Sequence, residues 1–217
     1  MIMPSHRHQH PAAMRLVALL ITGMATLTAC VTTQSSHPRG NIEVVEDVGF
    51  TINETSRIAG TTRSDYQSAL RHLEQGRHEE GVALLESVAA EAPNLSAPRI
   101  DLGIAYRQAG EFTSAERNLL LALDANPKHP VAHNELGIVQ RQTGRFADAR
   151  ASYETALAIY PDYHYARRNL AVLCDLYLAD LNCALENYEA YVDTVSNDDQ
   201  AEIWIADLRA RLGNGAQ

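Results

Sequence analysis

The sequence predicts an all-α protein, a solenoid of about four helical hairpins followed by a C-terminal capping helix. The chain repeats itself every 34 residues from Thr62 onward, a period typical of stacked helical units. Glycines recur in the middle of the first three repeats, and prolines recur near their ends. These residues are Gly76, Gly110 and Gly144, and Pro93, Pro127 and Pro161.

Each repeat is predicted to form two helices that cross closely. The mid-repeat glycine permits the turn between them, and the proline stops the second helix because it lacks an N–H and clashes with the preceding turn. Small residues at two further positions would let the helix backbones approach. They are Ala69, Gly103, Gly137 and Ala171 at the eighth position, and Gly81, Ala115 and Ala149 at the twentieth.

The repeat boundaries follow from this alignment. We predict repeats at residues 62–95, 96–129, 130–163 and 164–198. Ser64 and Gln67 form a capping-box pattern, which predicts the start of the first helix. Residues 199–217 are predicted to be the capping helix and tail, with Asn197 or Asp198 as the N-cap. A solenoid needs such a helix to cover its last apolar face.

Residues 1–29 are predicted to be a secretory signal peptide. Arg15 precedes an apolar run of 14 residues from Leu16 to Ala29, and small residues lie near its end. A membrane-spanning helix needs roughly 20 apolar residues, so this run is too short to remain as one.

The end of this leader, Leu27, Thr28, Ala29 and Cys30, resembles the lipobox of bacterial lipoproteins. The resemblance implies cleavage before Cys30, which would carry acyl chains such as palmitate. The alternative is an ordinary signal peptide that ends in a coincidental cysteine. Val31 stands where an Asp would imply retention in the inner membrane. The resemblance therefore implies an outer-membrane lipoprotein that faces the periplasm.

Residues 30–61 are predicted to be a tether between the lipid and the first repeat. Its first part, VTTQSSHPRGN, is polar. The following stretch, IEVVEDVGFTINE, alternates imperfectly between apolar and polar residues. We predict a short extended piece that docks on the first repeat, and the imperfect alternation does not justify assigning a strand.

The chain is acidic, with 27 Asp and Glu against 18 Lys and Arg and a net charge of −9. Without Arg7 and Arg15, which lie in the predicted leader, 16 basic residues face 27 acidic ones, so the remaining charge is −11. Such a surface should repel nucleic acid and anionic lipid head groups. We therefore predict no nucleic-acid partner and expect membrane attachment through the lipid.

The sequence contains no pattern typical of an enzyme. We find no Gly-rich phosphate loop, no paired histidines at helical spacing and no serine in a nucleophile elbow. We predict no catalytic residues, no metal site and no cofactor. Cys174 and Cys183, one on each predicted helix of the fourth repeat, leave two alternatives. They form a disulfide, which an oxidising periplasm permits, or they are two buried thiols.

The repeat pattern resembles the tetratricopeptide repeat. The third repeat carries the pattern through Leu136, Gly137, Ala149, Tyr153, Ala156 and Pro161. The resemblance implies that first-helix positions two, five, nine, twelve and thirteen line a concave groove that binds a protein segment. The predicted groove residues are Ile100, Ile104, Arg107, Asn134, Ile138, Arg141, Arg168 and Val172.

Two alternatives apply to Arg107 and Arg141. They grip a carboxylate of a partner by charge-assisted hydrogen bonds, or they pair with acidic residues of adjacent repeats. The carboxylate clamp of some tetratricopeptide domains has amide or basic residues at position six, where this chain has Asp101 and Glu135. We therefore do not expect a receptor for chaperone tails.

A lipobox followed by tandem repeats resembles pilus-assembly lipoproteins, both type IV pilotins and the tight-adherence family. The resemblance implies a membrane-anchored periplasmic scaffold that binds a protein partner and contributes to an envelope complex such as a pilus or a secretion system. Two other hypotheses stay open. An enzyme or small-ligand carrier would show a closed pocket with a few convergent polar groups, and a self-associating lipoprotein would fill the groove with another copy.

Overall fold

The computed structural model describes residues 41–46, 50–55, 58–196 and 198–214. The predicted leader 1–29 and the predicted lipid site Cys30 lie outside these residues. The described part contains two strands, β1 (Asn41–Glu46) and β2 (Phe50–Thr55). Its helices are α1 (Gly60–Glu74), α2 (His78–Glu91), α3 (Ala97–Gln108), α4 (Phe112–Ala125), α5 (Pro130–Gln142), α6 (Phe146–Ile159), α7 (His164–Leu176), α8 (Leu181–Thr194) and α9 (Asp199–Asn214).

The predicted fold class is confirmed. Helices α1 to α8 form four consecutive hairpins, and the second helix of each hairpin packs on the first helix of the next. Helix α9 packs on α8 and closes the array. No helix in the described ranges is both long and apolar enough to cross a membrane.

Close helix crossings explain the small residues of the repeat. A Cβ atom added to Gly137 of α5 would lie 2.5 Å from Cε1 of Tyr153 in α6. The same addition at Gly103 of α3 would lie 2.6 Å from Cγ of Leu119 in α4. Both neighbours are completely buried. Because glycine has no side chain, a large apolar side chain of the second helix can occupy the space where the two helices of a hairpin cross.

The turns inside the first three hairpins place Gly76, Gly110 and Gly144 at φ between +75° and +80°. This left-handed conformation costs L-residues with a side chain roughly 1–2 kcal/mol, and glycine adopts it freely. In the fourth hairpin, Ala179 has a positive φ of 53°. The fourth predicted repeat, residues 164–198, is one residue longer than the 34-residue period, and this turn lies near its middle.

The first helix begins earlier than the capping-box pattern predicts. Helix α1 starts at Gly60, and Ser64 lies inside it, where its carbonyl accepts a hydrogen bond from the Ser68 hydroxyl at 2.9 Å. Thr62 is buried and its hydroxyl donates to Glu91 Oε2 of α2 at 3.0 Å. That contact anchors the additional turn, so tertiary packing overrides the local signal.

The segment before the first repeat is more regular than predicted. Strands β1 and β2 pair antiparallel, with Val44 opposite Ile52. The stretch is extended, as predicted, and its pairing into a hairpin is a feature that the sequence analysis did not assign. The residues between the strands are Asp47, Val48 and Gly49, and a three-residue connection containing glycine is a common hairpin signal.

Candidate functional site

The concave surface of the array is formed by the first helices of the repeats, α1, α3, α5 and α7. Helix α3 contacts α5 directly and α5 contacts α7, whereas the second helices of neighbouring repeats lie farther apart. A stack whose first helices are closer together must curve toward them. The residues of these helices that remain open to solvent therefore line its inner side.

An apolar row runs along this surface. Leu70, Ile104, Ile138 and Val172 occupy the same position in four successive repeats, and each is partly exposed. Ile104, Ile138 and Val172 belong to the predicted groove residues. Partly buried aliphatic side chains in register on adjacent helices form a continuous apolar strip, the kind of surface that a partner can cover.

Two predicted groove residues lie elsewhere. Ile100 is only 4% exposed and Asn134 only 2%. Ile100 belongs to an apolar cluster with Ala132 and Leu136 of α5, and the Oδ1 of Asn134 accepts a hydrogen bond from Asn169 of α7 at 2.9 Å. The prediction that they line the open groove is wrong, because the first helix of the following repeat covers this position.

The predicted groove arginines are engaged within the protein. The Nε of Arg107 lies 3.1 Å from Oε2 of Glu135, which belongs to the next repeat. The guanidinium of Arg141 lies over the Tyr177 ring, 5.6 Å from its centroid. Arg168 stacks in the same way on Trp204 of the capping helix, at 5.5 Å. Of the two alternatives for Arg107, the structure shows pairing with an adjacent acidic residue.

The two carboxylates at repeat position six lie on the same first helices and are partly buried. The hydroxyl of Tyr66 in α1 donates to Oδ2 of Asp101 in α3 at 2.5 Å. Burial raises the pKa of Asp101 above its ordinary value, and the Tyr66 hydrogen bond opposes the shift. Burial also raises the pKa of Glu135, against the attraction of Arg107. Sequence reasoning used both residues only to argue against a carboxylate clamp.

Polar contacts connect the first helices of three repeats. Besides its ion pair with Arg107, Glu135 accepts a hydrogen bond through Oε1 from Asn134 Nδ2 at 3.4 Å. Asn134 in turn accepts from Asn169. These contacts therefore link α3 to α5 and α5 to α7.

The sulfur atoms of Cys174 in α7 and Cys183 in α8 are bonded to each other, with the two Cα atoms 5.9 Å apart. The Oδ1 of Asp180 accepts a hydrogen bond from the backbone N–H of Cys183 at 3.1 Å and caps α8. Within the described ranges, these three residues are the only set of potential metal ligands close enough together. Because the thiols form a disulfide, the set is not available to an ion.

A cavity of about 320 Å³ lies between the start of α2 and the end of α3. Its lining includes Val82, Tyr106, His78, Glu79 and Glu111. The last three are exposed to solvent. The cavity is therefore an open hollow and differs from the closed pocket that a small-ligand carrier would need.

Comparison with known proteins agrees with this architecture. Residues 100–174 match the family model described as tetratricopeptide repeat. No curated protein matches the chain. Solved structures of tetratricopeptide repeat proteins superpose on most of it, and the chain therefore has the tetratricopeptide repeat fold.

Three solved structures illustrate the similarity. MamA from Desulfovibrio magneticus RS-1 is 20% identical, with a TM-score of 0.63 over 72% of this chain and 88% of its own. Pseudomonas aeruginosa pilF is 19% identical, with a TM-score of 0.64 over 70% of this chain and 69% of its own. The first repeat domain of Spaghetti (RPAP3), bound to the HSP90 peptide SRMEEVD, is 20% identical, with a TM-score of 0.51 over 54% of this chain and 95% of its own.

Proposed function

We propose that this protein is a membrane-anchored periplasmic scaffold whose concave surface binds a segment of a partner protein during assembly of an envelope complex, such as a pilus or a secretion system. The apolar row of Leu70, Ile104, Ile138 and Val172 carries the proposal. These four partly exposed aliphatic residues leave apolar surface in contact with water. A bound segment would cover that surface, and each Å² covered would contribute about 25 cal/mol to the binding free energy.

The fold supports a binding role. Tetratricopeptide repeat proteins typically serve as protein-interaction scaffolds, and one of the similar structures was solved with a peptide bound. The similarity to Pseudomonas aeruginosa pilF, together with the lipobox-like end of the leader, favours a pilus or a related envelope machine over other assemblies.

The proposed anchor is a lipid on Cys30. With a charge of −11 after removal of the leader, electrostatic attraction to anionic lipids cannot hold the protein at a bilayer. Each buried methylene contributes roughly 0.8 kcal/mol, so two or three acyl chains would hold it firmly. Localisation at the outer membrane rests on Val31 following the cysteine, by resemblance to other lipoproteins.

Photocrosslinking in intact cells tests the binding surface. A photoreactive amino acid replaces Ile138 on the concave side, and the matched control replaces Leu121 of α4, an apolar residue on a second helix that is 43% exposed. We expect an adduct with an envelope protein from position 138 and none of that mass from position 121. Equal adducts from both positions would contradict the proposal, and an adduct of twice the mass of the chain would indicate self-association instead.

Acylation and fractionation test the anchor. We expect the wild-type chain to incorporate labelled palmitate and to sediment with outer membranes, and Cys30→Ser to lose both properties. A Cys174→Ala/Cys183→Ala variant keeps Cys30 and serves as the matched control, which should behave as wild type. A Cys30→Ser protein that still sediments with membranes would refute a lipid anchor.

A further inference from the structure

We infer that the concave surface selects a partner segment in which a lysine or arginine side chain lies among aliphatic ones, with its cation seated at Asp101 between α1 and α3. The inference rests on the proposed function, because it specifies the partner of the same surface. Three features of the described residues carry it.

The first feature is a carboxylate that forms no ion pair with any described side chain. Oδ2 of Asp101 accepts a hydrogen bond from Tyr66, a neutral group. Among the described residues, none of the ion pairs includes Asp101, whereas its counterpart one repeat later, Glu135, is paired with Arg107. A carboxylate that is partly shielded from water and has no ion pair with a described side chain gains strongly from an external cation, because the attraction is screened less there.

The second feature is the aliphatic row beside this charge. Asp101 and Ile104 are three residues apart on α3 and therefore share a helix face. Glu135 and Ile138 repeat the arrangement on α5. A lysine or arginine side chain has an apolar stem and a charged end. Its stem would cover Ile104 while its charged end reaches Asp101.

The third feature is the state of the arginines. Arg107 lies against Glu135, Arg141 against Tyr177 and Arg168 against Trp204. An acidic segment would have to displace these contacts and would also approach Asp101, a like charge. Like charges placed together weaken an interface, so the surface discriminates against acidic partners.

The charge state of Asp101 in the free protein agrees with this selection. Burial makes its ionised form costly and raises its pKa. A cation placed beside the carboxylate offsets that cost. The net charge of the whole chain, −9, favours approach of the same class of partner.

Selection of random peptides tests the inference with a defined probe. Phage-displayed random dodecapeptides are selected on the purified full chain, and the enriched peptides are synthesised and their affinities measured. We expect enrichment of lysine and arginine flanked by leucine, isoleucine or valine. We also expect the enriched peptides to bind Asp101→Asn at least tenfold more weakly than wild type. Asp124→Asn, which removes an exposed acidic group of α4, is the matched control and should leave affinity unchanged.

Enrichment of aspartate or glutamate, equal affinity for wild type and Asp101→Asn, or no enrichment at all would each overturn the inference. Its failure is distinguishable from failure of the proposed function. If position 138 crosslinks to an envelope protein while the selected peptides show no preference for cations, the scaffold role stands and the partner chemistry is wrong. Unfolding curves of Asp101→Asn verify that any loss of binding occurs in a folded protein.

Discussion

At the scale of single residues, the repeat depends on contacts that leave no room for an additional carbon atom. Gly137 faces the ring of Tyr153, which is completely buried. The ring cannot move outward without breaking the packing between α5 and α6. The resemblance to a repeat motif thus corresponds to a concrete steric requirement at this crossing.

Gly137→Ala is expected to destabilise the protein by about 1–3 kcal/mol, because overpacking a filled core forces side chains or backbone to shift. The free energy of unfolding in urea measures the effect. Gly213→Ala is the matched control, since nothing lies within 4 Å of a Cβ atom added there. It should change stability by no more than about 0.5 kcal/mol. Equal effects of the two changes would show that the crossing is not tightly packed.

Asp101→Asn is expected to raise stability at pH 7. The folded-state pKa of Asp101 is raised by burial, so the folded protein binds the proton more tightly than the unfolded chain does. Wild-type stability should therefore fall as pH rises from about 3.9, the ordinary aspartate pKa, through the raised value. The variant lacks this contribution.

Urea unfolding between pH 3 and pH 8 measures the difference between Asp101→Asn and wild type, with Asp124→Asn as the exposed control. A variant that is less stable than wild type at pH 7 would show that the Tyr66 hydrogen bond outweighs the burial cost. A group that weakens the fold and, as we propose, strengthens binding would be the kind of compromise expected at a functional surface.

At the scale of elements, two structural features stabilise the last repeat and are absent from the other three described repeats. One is the disulfide between α7 and α8. The other is α9, whose Ala201, Ile205 and Leu208 are buried. Helix α9 also places Trp204 beside Tyr188, with ring centroids 5.2 Å apart. Both features act at the last repeat that the structure describes.

Reduction of the Cys174–Cys183 bond is expected to lower stability by about 2–3 kcal/mol, the chain-entropy value for a loop of about ten residues. Unfolding with and without reductant measures it, and the Cys174→Ala/Cys183→Ala variant should not respond to reductant. Free alkylation of both thiols in the purified chain under non-reducing conditions would contradict the bond.

Two isoleucines of α9 offer a matched test of the cap. Ile205 is 6% exposed and Ile203 is 61% exposed. Ile205→Ala should cost about 2–4 kcal/mol through lost burial and a cavity, and Ile203→Ala less than about 0.5 kcal/mol. Chemical unfolding compares them directly. Similar losses would mean that α9 does not cover the last repeat as described.

At the scale of the whole molecule, each apolar cluster is shared between neighbours. The middle cluster takes Ile100 from α3, Leu119 from α4 and Val139 from α5. A second cluster reaches from α6 of the third repeat to α9. The stability of each repeat therefore depends on its contacts with the neighbouring repeats, as in other quasi-one-dimensional arrays. The first helices are left to form one continuous surface.

The acidic charge of the whole chain leads to a further prediction. The Cys30→Ser chain should not cosediment with phosphatidylglycerol vesicles or bind duplex DNA at 50 mM salt, because its net charge of −9 repels both. Cosedimentation that weakens as salt is added would contradict this and would reveal a basic patch.

The sequence by itself determined the features that depend only on residues close together along the chain. The period, the mid-repeat turns at Gly76, Gly110 and Gly144, and the ends of the second helices before their prolines all follow from local backbone chemistry. The capping helix follows from the apolar stripe that ends the chain. The β-hairpin was missed although Asp47, Val48 and Gly49 are a local signal for it, because the flanking alternation is imperfect.

Only the tertiary structure decided which side chains of the first helices are open. The position that Ile100 and Asn134 occupy is buried, whereas Asp101, one residue after Ile100, is partly exposed and accepts a hydrogen bond from Tyr66. The partners of Arg107 and Arg141 lie 28 and 36 residues away. Such choices depend on how far each repeat rotates against the next, a quantity set by packing across all the interfaces together and by no single stretch of chain.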